Sequence, residues 1–243
     1  MRLEQSPPHA RLRWAAALTA LAITLVPCLD ALGRASRSPA RLTPAPGSAP
    51  WVMVPDAASA YRLMSAAGVR GCWLVVLTGR WSRPRSLWSR PRPGEGFAAA
   101  AARARAVVDA DGALFALARD GIARRLDLVM PPAVLERRMA EVAGQKGLAV
   151  REGGFSLPYD ALERRFSVPD AFAAPREKVV VLVEPSFFQE GAPAEAASWL
   201  ASRGTQVELG LIATDDGQST AAQRAAALAL GDAVGAAAPG GPP

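Results

Sequence analysis

The stretch DGALFALARDGIARRLDLVMP, residues Asp111–Pro131, decides the fold class because a helix, a glycine stop and a strand follow one another in it. Leu114 and Leu117 lie at the spacing of an apolar helix face. Gly121 then supplies a residue that readily adopts the left-handed conformation at a helix end. The apolar run over 126–130 predicts a short buried strand. The stretch therefore predicts one helix–strand unit of an α/β fold.

Similar units recur along the chain. One has a helix over 56–68 and a strand at Cys72–Leu77, and another has a helix at Pro193–Ser202 and a strand at Val207–Ala213. Lys178–Val183, KVVVLV, is the strongest buried-strand candidate. Strands that alternate with helices imply a parallel sheet with helices on both faces. We therefore expect a three-layer, Rossmann-like α/β domain. The other predicted elements are helices at 97–108, 132–142 and 219–230, and a strand at 148–150.

The segment 152–176 shows the weakest pattern. Gly153 and Gly154 predict a turn, and three prolines interrupt the residues that follow. Tyr159–Phe166 is interpreted as a short helix. The rest of this segment is expected to be irregular.

The segment 1–33 has the layout of a secretory signal or a signal anchor. Its uncharged run, Trp14–Leu29, follows Arg2, Arg11 and Arg13. This run is shorter than the roughly 20 residues of a comfortable transmembrane helix and contains Pro27, which favours a cleaved signal. Leu32 extends the apolar character past Asp30, which favours an uncleaved anchor. The expected location is the bacterial cytoplasmic membrane facing the periplasm, or the periplasm or medium after cleavage.

The rest of the chain divides by composition. Residues 34–50 are rich in Pro, Ser, Ala and Arg and predict a flexible tether. Residues 51–231 form the single α/β domain, with a basic loop at 80–96, and the Gly/Pro/Ala tail at 232–243 is expected to be disordered.

The net charge of +6 is unevenly distributed. Residues 1–50 and the loop at 80–96 each carry a net charge of +4, which leaves −2 for the remainder. The folded body therefore provides no electrostatic reason to invoke nucleic acid. Within the loop, the motif WSRPR occurs twice. This duplication is interpreted either as an expanded surface insertion or as a contact with anionic lipid or another polyanion. The contact residues would be Trp81, Arg83, Arg85, Trp88, Arg90 and Arg92.

Histidine and cysteine are too scarce for several classes of site. The only histidine, His9, precedes the apolar leader, so we expect neither a His-dependent triad nor a His-ligated metal site in the domain. Cys28 lies in the leader, and Cys72 begins a predicted strand and is expected to be a buried thiol. These two cysteines do not form a disulfide framework.

The best candidates for a ligand site follow the strands, because ligands of open parallel sheets bind outside the carboxyl ends of the strands. Thr78, Gly79, Arg80 and Ser186 are the predicted ligand-binding residues there. Glu184, Asp215 and Asp216 are the catalytic candidates, since together they would hold Mg²⁺. Turn formation at Asp215 and Asp216, with a solvated Glu184, explains the same residues without chemistry.

A second acidic motif, Val107–Leu114 (VVDADGAL), resembles the nucleophile motif of the haloacid dehalogenase-like phosphatases. The resemblance implies that Asp109 attacks phosphorus and that Asp111 acts as acid and base, with Asp215 and Asp216 matched to the magnesium-binding pair. It covers eight residues, Ala113 replaces the usual Thr, and the Thr78-Gly79 pair precedes the motif instead of following it. Capping of a helix by Asp111 explains the same residues and is the interpretation we favour.

These observations predict an exported or membrane-anchored α/β domain with a non-catalytic binding or assembly role and no cofactor. The alternative is a Mg²⁺-dependent enzyme that acts on a phosphate or sugar-phosphate compound. The predicted partners are the membrane, through residues 14–29 if the leader is uncleaved, and anionic lipid through the loop at 80–92. Convergence of Glu184, Asp215 and Arg80 in one pocket would favour the enzyme.

Overall fold

The computed structural model describes residues 51–80, 112–159 and 162–236, together with the single positions 96, 99 and 108. Within these residues eight strands form one sheet: β1 Trp51–Val54, β2 Cys72–Leu77, β3 Ala123–Val129, β4 Ala149–Arg151, β5 Gly154–Tyr159, β6 Leu162–Ser167, β7 Val179–Val183 and β8 Val207–Ala213. The α-helices described are α1 Ala57–Ala66, α2 Ala113–Arg119, α3 Pro132–Val142, α4 Ala196–Ser202 and α5 Ala221–Ala233. Short 3-10 turns lie at Pro169–Ala171 and Pro185–Phe187.

The sheet is mostly parallel and has the order β1-β8-β7-β2-β3-β6-β5-β4. All neighbours from β1 to β6 run parallel, whereas β5 is antiparallel to both β6 and β4. From β2 the chain winds outward to β3, and it later returns to the other side of β2 as β7. The predicted Rossmann-like α/β character is confirmed.

Local sequence signals explain where the helices begin and end. Asp56 caps α1 by accepting a hydrogen bond from the Ser59 amide at 2.6 Å. Thr220 and Gln223 form a reciprocal capping box at the start of α5. Gly121, which follows α2, has a φ of +66°, as the stop signal predicted. The N-cap position of α2 is taken by Gly112 and not by Asp111, which lies outside the described residues.

Within 152–176 the predicted turn at Gly153 is present, but the prediction for the strand residues that follow it was wrong. Tyr159–Phe166 is not a helix: β5 and β6 form an antiparallel pair there, and the Phe155 and Phe166 rings stack with centroids 4.4 Å apart. Pro158 suggested irregular structure because proline lacks an N–H. Proline is tolerated at this position of β5 because β4 pairs only with residues 154–156. The side of β5 that faces β4 therefore needs no backbone N–H at residue 158.

The two faces of the sheet carry separate apolar cores. α1, α2 and α3 pack on one face, against side chains such as Leu74 and Leu128. α4 and α5 pack on the other face, against Val75 and Val181. This second core includes β3 only through Val129 and, among the described residues, takes in no side chain of β4, β5 or β6. The second helical layer therefore covers about half of its face.

Several predicted segments fall outside the described residues. They are the leader and its run Trp14–Leu29, the tether, the Trp/Arg loop from residue 81 onward, and most of the predicted helix at 97–108. In the part of the chain that the structure describes, no helix combines the length and the apolar character needed to cross a membrane.

The contact between Trp51 and Gly210 gives a direct test of the edge pairing of β1 with β8. These residues are partners in the ladder, and a Cβ at Gly210 would overlap the Trp51 ring. We expect Gly210→Ala to lower the free energy of unfolding by about 1–3 kcal/mol through overpacking, although alanine is normally preferred to glycine in a strand.

The measurement is urea denaturation of Gly210→Ala in the wild-type and Trp51→Ala backgrounds. With the ring removed, the added methyl group should cost less than about 0.5 kcal/mol, within the range of a substitution without a specific contact. An equal cost in both backgrounds would contradict the proposed overlap.

Candidate functional site

The carboxyl ends of β2, β7 and β8 meet at one end of the sheet, where six of the predicted site residues come together. We call this group the strand-end cluster; it comprises Thr78, Gly79, Arg80, Glu184, Ser186 and Asp216. It lies where the chain reverses its winding between β2 and β7, the usual place for a ligand in an open α/β sheet.

Within the cluster, the loops after β2 and β7 are bonded directly to each other. The Thr78 hydroxyl donates to a Glu184 carboxylate oxygen, and the Gly79 amide donates to Ser186 Oγ at 3.2 Å. A Cβ at Gly79 would overlap the backbone carbonyl of Ser186, so only glycine permits this approach. Glu184 is 5% exposed, so the expectation of a solvated strand-end glutamate was wrong.

Asp216 joins the third loop to the other two. Its carboxylate accepts hydrogen bonds from the Ser219 hydroxyl at 2.7 Å, and from the amides of Ser219 at 2.8 Å, Gln218 at 3.0 Å and Ser186 at 3.2 Å. Arg80 donates to its backbone carbonyl and lies 3.9 Å from Oδ1. Burial opposes ionisation, but the hydrogen bonds from Ser219, Gln218 and Ser186 outweigh it and lower the pKa of Asp216.

Asp215 does not join its predicted partners. It is exposed, and its Oδ1 accepts from the amides of Asp216 and Gly217 at 2.8 and 3.0 Å, which is turn chemistry. Arg224 Nη1 on α5 lies 3.6 Å from its Oδ1. Arg80, Glu184 and Asp216 thus share the cluster, whereas Asp215 faces outward. Among the described residues no group of three or more His, Cys, Asp or Glu side chains is arranged to hold a metal ion.

The remaining predicted site residues lie outside the described part of the chain. They are the phosphatase-like aspartates and the contact residues of the Trp/Arg loop: Asp109, Asp111, Trp81, Arg83, Arg85, Trp88, Arg90 and Arg92.

Sequence reasoning missed a second polar region, on the half of the sheet that α4 and α5 leave uncovered. One row of ladder partners crosses the sheet there. In β7 and β2 it is apolar, with Val181 and Val75, and in β3, β6 and β5 it is polar, with Asp127, Arg165 and Ser156. We call the latter part the polar half-face; it also includes Arg125 and Arg151. The available signal was the charged residues in the strand ARRLDLV, since a parallel strand covered on both faces is normally apolar throughout.

Asp127 is the buried charge of this half-face, at 4% exposure. Its Oδ2 accepts a hydrogen bond from Trp73 Nε1 at 2.7 Å, and Arg125 Nε lies 3.9 Å from its Oδ1. The Arg125 guanidinium also stacks over the Trp73 ring, 3.7 Å from the centroid. Trp73 is half-buried and packs against the second core, and its indole N–H orients this carboxylate.

Beside Asp127 the half-face contains a recess of about 100 Å³, bounded by the sheet and by the segment that follows the 3-10 turn at Pro169–Ala171. We call it the half-face recess. The residues that line it include the polar side chains of Asp127, Arg151, Glu152, Ser156 and Arg165 and the apolar side chain of Phe172.

No protein-family model, curated protein or solved structure matches the chain.

Cys72 is not suited to nucleophilic chemistry. The residue is half-buried, less enclosed than its strand position predicted. Burial raises the pKa of its thiol to about 11, so the group stays protonated at neutral pH.

The hydrogen bonds of Asp216 predict its contribution to stability. We expect Asp216→Asn to lower the free energy of unfolding at pH 7 by about 1–3 kcal/mol, because an amide nitrogen in place of Oδ2 would leave the Ser219 hydroxyl and the Ser186 amide without their buried acceptor. Since the folded-state pKa is lowered, the advantage of the aspartate is complete above its ordinary pKa of about 4 and is lost as the pH falls through the folded-state value.

The measurement is denaturant unfolding of the wild type and of Asp216→Asn between pH 7 and pH 2.5. The matched control is Asp215→Asn, an exposed neighbour, whose effect should stay within about 0.5 kcal/mol. Equal unfolding midpoints for the two variants at pH 7 would refute this role of Asp216.

Proposed function

We propose that the chain is an exported or membrane-anchored α/β domain with a non-catalytic binding role, and that its ligand binds on the polar half-face. The observation that carries the proposal is the ladder row that changes from Val75 to Asp127, Arg165 and Ser156 where the second helical layer ends. A surface of this kind, with a recess beside it, has the polar groups and the concavity of a ligand site.

Fold stability alone does not require such a surface. Replacing a buried ion pair by apolar side chains of similar volume is often neutral or stabilising. A buried Asp127 that is held by Trp73 and Arg125 therefore has a cost that an apolar side chain would avoid. Local departures of this kind are expected at functional positions.

The N-terminal sequence supports placement outside the cytoplasm. Three arginines followed by an uncharged run are typical of export signals, and the flexible tether would separate the domain from the membrane. Contact of the Trp/Arg loop with anionic lipid remains a prediction that fits this placement.

The Mg²⁺-dependent enzyme remains as a second candidate because of one observation. The strand-end cluster occupies the switch point between β2 and β7, with Glu184 and Asp216 buried in it. Both carboxylates already accept hydrogen bonds from the protein, so a metal ion would have to displace some of these donors. We therefore rank this function below binding.

Ligand-induced stabilisation of the full chain in detergent tests the binding role. We expect compounds from a panel of small carboxylic acids, sugars and sugar phosphates to raise the melting temperature, since a ligand that binds only the folded state stabilises it. The shift should disappear in Ser156→Phe, whose ring would fill the half-face recess, and should persist in Glu184→Gln.

The opposite pattern supports the enzyme. Stabilisation that requires Mg²⁺ and is lost in Glu184→Gln, with turnover of a sugar phosphate by the wild type, would replace the binding role. Stabilisation that is equal in the wild type and Ser156→Phe would move the ligand away from the half-face.

A further inference from the structure

The half-face recess is too small for a whole metabolite. Pockets for drug-sized ligands enclose roughly 300–1,000 Å³, whereas this recess has about 100 Å³. The recess therefore suits one functional group at the end of a larger ligand.

The lining provides hydrogen-bond donors for such a group. Arg165 and Ser156 are ladder partners, so their side chains lie side by side on the same face. Ser156 is 9% exposed, and among the described residues its hydroxyl takes part in no hydrogen bond. Arg151 is exposed at the end of β4. A guanidinium has five N–H donors in a planar fork that matches a carboxylate or a phosphate.

The charges of the half-face favour a monoanion. Among the described side chains of the half-face, Arg125, Arg151 and Arg165 carry guanidinium groups and Asp127 and Glu152 carry carboxylates, one more positive group than negative. Arg125 lies against Asp127 and reduces its repulsion toward an incoming anion. Glu152 is exposed, so solvent weakens its repulsion of a monoanion, whereas a dianion would meet more of that repulsion.

We propose that the half-face recess binds a carboxylate group, held by the guanidinium groups of Arg165 and Arg151 and by the Ser156 hydroxyl. This inference rests on the proposed binding role and deepens it by naming the chemical class of the ligand. Glu152 sets the preference for a single negative charge, because a phosphate dianion would meet its carboxylate at the rim.

The test is an NMR titration of the full chain in detergent micelles with acetate, and with phosphate and chloride at matched ionic strength. We expect saturable shifts of the Ser156 and Arg165 amides with acetate, weaker binding of phosphate, and no saturation with chloride. Arg165→Gln should weaken acetate binding about tenfold or more, because a charge-assisted hydrogen bond is lost. Arg137→Gln, which removes an exposed arginine of α3, should leave it unchanged.

Glu152→Gln keeps the test decisive if Arg165→Gln does not fold. This exposed substitution should tighten acetate binding and bring phosphate closer to it, an effect that a purely structural role of Glu152 would not produce. Phosphate binding at least as tight as that of acetate in the wild type, or unsaturable shifts with acetate, would overturn the proposal.

The experiments distinguish the failure of the carboxylate assignment from the failure of the binding role. If acetate does not bind but a panel compound stabilises the wild type and not Ser156→Phe, the binding role stands and the carboxylate assignment is wrong. If substitutions in the recess change neither the binding of acetate nor the rise in melting temperature with any panel compound, both proposals are wrong.

Discussion

The parallel pairing of β2 with β7 is the interaction on which the rest of the structure depends. Leu74–Leu77 align with Val180–Val183, and the remaining strands are added outward from this pair in both directions. Both strands are buried by helices on both faces, which explains their almost uninterrupted apolar sequences. At their carboxyl ends the same alignment brings Thr78 within hydrogen-bond distance of Glu184. The strand-end cluster is thus a direct extension of the central pairing.

The unequal covering of the two faces determines where a ligand has access. α1, α2 and α3 complete an apolar core that reaches as far as β5, through Phe155 and Leu157. The core on the opposite face ends near β3. The helices that build it, α4 and α5, follow β7 and β8, which lie on the other side of β2 in the strand order. The strands beyond β3 therefore have one face packed against helices and one face that α4 and α5 do not cover, on which polar side chains lie. The chain topology thus leaves this half of the sheet without a second helical layer, and the side chains that lie there are polar.

Much of the fold was predictable from sequence because its elements are encoded locally. The apolar runs of β2, β7 and β8, the capping residue Asp56 and the stop at Gly121 are short-range signals with a definite physical cause. β5 and β6 were missed because each strand is only six residues long and because Pro158 interrupts the alternation of apolar and polar residues in β5. A single sequence does not show that this proline lies beyond the reach of β4.

The candidate site was only partly predictable, for a different reason. The strand-end rule identified the loops that meet, but the roles within them depend on side-chain directions. Adjacent aspartates took opposite roles, with Asp216 buried among donors and Asp215 exposed at a turn. The polar half-face depends on strand order, since Asp127, Arg165 and Ser156 become neighbours only when β3, β6 and β5 pair. Periodicity within one strand does not contain that information.

The pairing of β1 with β8 has a consequence for biosynthesis. Trp51 and its ladder partner Gly210 are 159 residues apart, and among the described strands β1 pairs with β8 alone. At a synthesis rate of about 5–20 residues per second, β1 leaves the ribosome roughly 8–30 s before its partner. Throughout that interval the nascent chain carries Trp51 and Met53 without the surface that buries them. The domain therefore stays incompletely folded until β8 has been made, a condition in which newly synthesised proteins are exposed to chaperones and to aggregation.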